Sequence, residues 1–102
     1  MWVATDGQSL IGYVAGHLTR RFGCDGELQW IYVVRQHRRS GVASQLLYLL
    51  AEWFVEQNAR YVCVDVGDDD ARHFYRARGA IPLNKHWMAW KDIGDVLREV
   101  PQ

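Results

Sequence analysis

The sequence has only two cysteines, no net charge and no long apolar run. Cys24 and Cys63 stand far apart in the chain without Cys-x-x-Cys spacing, so they read as two thiols in a reducing compartment rather than a disulfide. Twelve Lys and Arg balance twelve Asp and Glu, which argues against a broad nucleic-acid-binding surface. The run from Leu46 to Ala51 is far too short to cross a bilayer. The opening Met1-Trp2-Val3-Ala4-Thr5-Asp6 has neither the basic start nor the long apolar stretch of a signal peptide. His17, His37, His73 and His86 are scattered without metal-ligand spacing, and no metal is expected. No repeat, linker or low-complexity tract breaks the chain. These absences predict a cytoplasmic protein without nucleic-acid or membrane partners.

What is present fits one domain, residues 1–102, and 49% hydrophobic residues are enough for a real core. Residues 1–5 read as a strand, Asp6-Gly7 as a turn, and residues 9–19 as a second strand of a hairpin whose glycines weaken it or mark a bulge. Residues 27–34 form the strongest strand, with Trp30-Ile31-Tyr32-Val33-Val34 apolar on both faces, as a central strand should be. A helix is expected over 40–58, with Val42, Leu46, Leu49, Leu50, Trp53 and Phe54 as its apolar stripe. A buried strand follows over 61–66, completing a parallel crossover. Asp69 or Asp70 is expected to cap a second helix running through Tyr75 to Arg78, and Gly79 to end it. Residues 81–83 and 86–90 close as a strand pair, and the tail after Ile93 as a short helix. The expected fold class is α/β (α+β), a mixed, mostly antiparallel sheet with two principal helices.

Between the strongest strand and the long helix lies Arg35-Gln36-His37-Arg38-Arg39-Ser40-Gly41. The first amides of a helix lack intrahelical acceptors and carry the positive end of its dipole, so this layout makes an anion site. Gly41 lets the backbone approach a ligand closely, and Arg38 and Arg39 add charge. A phosphate-bearing ligand is the expectation.

The spacing Arg38-x-x-Gly41-x-Ala43 after an apolar strand resembles the pyrophosphate-binding signature of the GNAT acetyltransferase superfamily. Tyr32-Val33 stands at that family's usual Tyr-Val pair. Asp68-x-x-Ala71-x-x-x-Tyr75 matches its Asn-x-x-Ala-x-x-x-Tyr, with Asp for Asn, and Gly79-Ala80 replaces its Gly-Phe. The likeness covers the order of elements from Met1 to Ile93, and the chain starts at what resembles the family's second strand, a truncated form of the fold.

The resemblance implies acetyl-CoA as donor and a small-molecule or peptide amine as acceptor, with direct transfer. It implies that Arg38, Arg39, Ser40, Gly41, Val42, Ala43 and Ser44 hold the pyrophosphate and that Ile31, Tyr32 and Val33 pair with the pantetheine arm. An amide near Val33 polarises the thioester carbonyl, and Tyr75 protonates the leaving thiolate. Glu27 is the candidate general base, with Gln29 on the same parity able to orient a water. Asp68 can only accept hydrogen bonds when ionised, so it faces the pantetheine or lowers cofactor affinity. The first strand is expected to be a bare sheet edge, and in a homodimer a second subunit is expected to cover that edge or the open acceptor cleft, with Trp2, Trp53, Trp87 and Trp90 as candidate contact residues. The rival expectation is a non-catalytic CoA-binding or interaction module.

Overall fold

The computed structural model describes residues 1–98. Its six strands are β1 (Trp2–Asp6), β2 (Ser9–Leu18), β3 (Gly26–Val33), β4 (Val62–Asp65), β5 (Ile81–Pro82) and β6 (Trp87–Trp90). The helices are α1 (Val42–Glu56), α2 (Asp69–Ala77) and α3 (Asp95–Arg98). The strands form one sheet in the order β1-β2-β3-β4-β6-β5, antiparallel except for β3 against β4. This is the expected mixed sheet with two principal helices. β1 is an edge strand, as expected, and its Val3 is exposed.

α1 fills one face of the sheet. Its Leu46, Leu47, Leu50, Ala51 and Phe54 are buried against Val14, Leu28, Val62, Val64, Met88 and Trp90. Leu49, expected in this stripe, is 38% exposed, while Leu47 and Ala51 fill the seam instead. The close approach of α1 depends on Gly26, where an added Cβ would lie 2.4 Å from the Phe54 ring. Tyr75 of α2 and Val96 of α3 join this same core.

The opposite face carries no α-helix among the described residues, only the 3-10 turn Arg21–Gly23. Pairing puts Tyr13, Ala15 and His17 of β2 on it, opposite Tyr32, Trp30 and Glu27 of β3. Glu27 neighbours Cys63, and Asp65 stands opposite Trp87, on that same face. A register shift between Ala15 and Gly16 skips Gln29, which bulges outward. The bulge breaks the parity expected of Gln29 and Glu27. It also brings Trp30 onto the helix-free face, where it is 58% exposed. β3 is therefore central in the sheet, but on this second face only its Glu27 end is covered, while Trp30 and Tyr32 are exposed.

Other expectations need correction. Arg39 and Gly41 adopt left-handed φ values of 64° and 88°, so α1 cannot begin at Ser40 and starts at Val42. It ends at Glu56, because Asn58 is again left-handed. Trp90 is 1% exposed and belongs to the core, so it is no contact residue. Trp2 packs edge-on against Trp53, and Trp87 against Phe22 under the Arg21 guanidinium. Gly79 ends α2 with φ 99°, as expected.

Cys24 and Cys63 are both free and buried, and the fold brings them into hydrogen-bonding contact beside Ala89. Burial pushes the Cys63 thiol up to about 12. No helix among the described residues is long and apolar enough to cross a membrane.

Candidate active site

β3 and β4 pair only from Gly26 to Leu28 against Val62 to Val64, and beyond that they part. The Val34 amide donates to the Ile11 carbonyl at 2.8 Å. In an antiparallel ladder this makes Val33 and Ile31 non-bonded partners of Gly12 and Val14, so their amides and carbonyls point away from β2. They face the gap that β4 leaves. A strip of backbone without a strand partner, its Val33 carbonyl taken up by Arg38, thus lines a cleft of about 790 Å³ between the end of β3, the start of α1 and the side of α2. That volume is within the range of small-molecule sites.

The floor near α1 is built for an anion. α1 has Gly41 as its N-cap, no side-chain cap and no acidic residue in its first turn. The amides of Val42, Ala43 and Ser44 are left without intrahelical acceptors. A Cβ at Gly41 would meet nothing within 4 Å, so glycine is needed there for its φ of 88° rather than for room. The loop is shaped by its own side chains. Arg38 Nε donates to the Val33 carbonyl at 2.9 Å, its guanidinium lies over the Tyr32 ring, and the Ser40 hydroxyl donates to the His37 carbonyl. Part of Arg38 is thus spent on anchoring the loop to β3.

The α2 wall has the opposite character. Asp68 is its N-cap, accepting from the Ala71 amide at 2.8 Å, with Asp69 and Asp70 in the first turn. The cap is Asp68, one residue earlier than expected, because it alone is extended at φ −141°. Capping also accounts for Asp where the family pattern has Asn, since either residue serves as an N-cap. Tyr75 is 4% exposed, wedged edge-on between Phe74 and Trp90. Its hydroxyl has no hydrogen-bond partner among the described residues and lies at the cleft. Burial, then the charges of Asp68 and Asp65, push the phenol up to about 12.

Of the residues expected at the site, Ile31, Tyr32, Val33, Arg38, Arg39 and Gly41 line the cleft. So do Ala43, Ser44, Asp68 and Tyr75. Ser40 turns back on its own loop, and Val42 packs toward the core. Glu27 lies apart, 8% exposed on the helix-free face. Its carboxylate accepts from Arg21 Nε at 3.0 Å and stands 3.8 Å from His17 Nε2.

One contributor escaped the sequence reading. Arg78, at the end of α2, donates to the Ser44 hydroxyl through Nη2 at 2.5 Å and stacks on Phe74 at 4.0 Å. It ties the second helix to the first turn of the first. Only its position just ahead of Gly79 marked it.

The geometry has counterparts among solved structures. An acetyltransferase of the GNAT family from Desulfovibrio desulfuricans superposes with a TM-score of 0.77 at 18% identity, over 89% of this chain and 67% of that one. Nourseothricin acetyltransferase gives 0.74 at 22% identity, over 83% and 59%. The PaiA N-acetyltransferase of Thermoplasma acidophilum, solved in complex with coenzyme A, gives 0.72 at 15% identity, over 87% and 58%. The chain thus spans between 58% and 67% of the length of these three structures. No curated protein matches the sequence. The model of the "Acetyltransferase (GNAT) family" matches residues 1–80, from β1 to the end of α2. With the splayed strands, the glycine-capped α1 and the capped α2 carrying Tyr75, this match establishes that the chain belongs to the GNAT acetyltransferase family.

Proposed function

We propose that the protein transfers an acetyl group from acetyl-CoA directly to a primary amine. The observation that carries this reading is the uncapped N-terminus of α1 beside the edge of β3 at Ile31 and Val33, which has no strand partner there. One feature suits a pyrophosphate and the other an extended amide-bearing arm, which adds to β3 as a strand would. A CoA thioester supplies the activated acyl group. The T. acidophilum structure holds coenzyme A in the same fold.

Each residue then has a task. The amides of Val42, Ala43 and Ser44 receive the pyrophosphate, and Arg39 adds charge at the loop. The Val33 amide points into the gap and donates to the acyl oxygen as charge develops there. Tyr75 stays protonated at neutral pH because its phenol is pushed up to about 12, and it has no competing partner, so it holds a proton for the departing sulfur. The amine loses its proton to water or to Glu27 after Arg21 moves. A second copy covers the β1 edge, and the reduced thiols suit the cytoplasm; sedimentation showing only monomer at high concentration would contradict the pairing.

The test is acetyl-CoA-dependent release of free CoA with a panel of primary amines. Tyr75→Phe should cut turnover by about a hundredfold while leaving CoA affinity unchanged, since removing a general acid costs that order of rate. The closed Arg21–Glu27 pair favours a second reading, a CoA-binding module without catalysis. It predicts CoA binding with no transfer to any amine.

A further inference from the structure

Arg78 is held through both its backbone and its side chain. Its amide donates to the Tyr75 carbonyl, and its own carbonyl accepts from Trp90 Nε1, both at 3.0 Å. Nη1 donates to the Phe74 carbonyl at 3.3 Å, and the guanidinium lies 4.0 Å from the Phe74 ring centroid. From this fixed position the other edge of the guanidinium reaches α1. Nε and Nη2 both donate to the Ser44 hydroxyl, at 3.2 and 2.5 Å. Ser44 and Arg78 line the same cleft as Arg39 and Gly41.

Ser44 is the third residue of α1, so its amide is one of those left without an intrahelical acceptor. Its hydroxyl has one hydrogen to donate and two sites that accept. A serine in a helix often donates back to a carbonyl three or four residues earlier. Here the Gly41 carbonyl takes the Gln45 amide at 3.0 Å, and the Ser44 hydroxyl donates to no acceptor among the described residues. The guanidinium edge occupies the accepting side of the oxygen. The hydroxyl hydrogen is therefore turned away from Arg78, on the helix end that also presents the Ser44 amide. A cation at the oxygen polarises the O–H and makes it a stronger donor to an anion.

We propose that Arg78 is a positioning residue of the phosphate site: it fixes and polarises the Ser44 hydroxyl, which donates to the diphosphate beside the Ser44 amide. This rests on the CoA reading of the cleft and adds a side-chain donor to the amides of the loop. The anion is then held from both walls, by α1 directly and by α2 through Ser44.

CoA and pantetheine, which lacks the diphosphate, are titrated calorimetrically into the wild type, Ser44→Ala, Arg78→Met and the double variant. CoA affinity should fall about tenfold in each single variant, the scale of one hydrogen bond to a charged group. The double variant should fall little further, because Arg78 acts through the hydroxyl that Ser44→Ala removes. Arg78→Lys keeps the charge but offers no planar edge to the oxygen, so it should resemble Arg78→Met. Pantetheine affinity should be the same throughout. Independent losses that multiply to about a hundredfold in the double variant, or full CoA affinity in Arg78→Lys, would make Arg78 a bare charge on the ligand and overturn the inference. Equal losses for CoA and pantetheine would mark a merely structural role and overturn it too. Ser44→Ala suits a helix and decides the matter even where Arg78→Met does not fold: unchanged CoA affinity there also overturns the inference and leaves the CoA reading intact. Failure of CoA to bind the wild type overturns the CoA reading, and the role of Arg78 falls with it.

Discussion

The two helices that frame the cleft begin in opposite ways. α1 starts at a left-handed glycine with no cap and no acidic residue in its first turn, behind a loop with three basic side chains. α2 starts at Asp68, whose carboxylate takes up the Ala71 amide, and two more aspartates follow. Both have the same backbone dipole. One end is closed by its own sequence, while the other is left open to an external anion. The pair shows that a helix N-terminus becomes a phosphate site through what its neighbours withhold as much as through what they supply.

The strongest way to break this contrast is to close α1. Gly41→Asp forces a side chain into the left-handed region and places a carboxylate where the anion should sit. Calorimetry should show CoA affinity falling by about a hundredfold, the sum of backbone strain and charge repulsion. The fold itself should survive, because an added Cβ meets nothing there.

A second test uses pH. The Tyr75 phenol rises from 10.0 to about 12 on folding, and the Cys63 thiol from 9.0 to about 12, both mainly through burial. A raised pKa means the folded state holds its proton more tightly. That contribution is complete below the unfolded values and is lost as pH climbs through 9 and 10 toward 12. Denaturant melts should show stability falling over this window, by about 3 kcal/mol for Tyr75 alone. Tyr75→Phe should flatten the upper part of the decline. An unchanged curve in that variant would contradict the burial assignment.

Opening α2 is gentler. Asp68→Ala should lower stability by about 1 kcal/mol, and Asp68→Asn should leave it nearly unchanged, because both Asp and Asn cap well. Thermal melts at neutral pH would separate the two. The smallest expected effect is that of salt. CoA binding at the open, solvent-facing end of α1 should weaken several-fold between 0.05 and 0.5 M salt, by roughly 1 kcal/mol, while the melt difference between Asp68→Ala and Asp68→Asn stays fixed.

Much of this was legible in the sequence because it is local. The loop from Arg35 to Gly41, the strand before it and the helix after it are adjacent, so their chemistry could be read from spacing. The order of strands and helices followed from period and turn residues in the same way. Features set by distant contacts were not legible. The bulge at Gln29 depends on how β3 registers against β2, and it moved Trp30 to the helix-free face. Glu27 looked like a free base because its partner Arg21 sits in a loop whose path only the fold defines. Cys24 and Cys63 seemed unrelated until β4 was laid beside β3. Asp68, Asp69 and Asp70 offered three possible caps, and the extended backbone of the first decided among them.

The measurement closest to the central claim is a calorimetric titration of this chain with CoA and, separately, with pantetheine, which lacks the pyrophosphate. An open α1 terminus beside a free β3 edge predicts micromolar binding of CoA, much weaker binding of pantetheine, and loss of the difference in Gly41→Asp. Binding that is equal for the two ligands, or absent for CoA at millimolar concentration, would contradict the claim that the α1 terminus is a phosphate site.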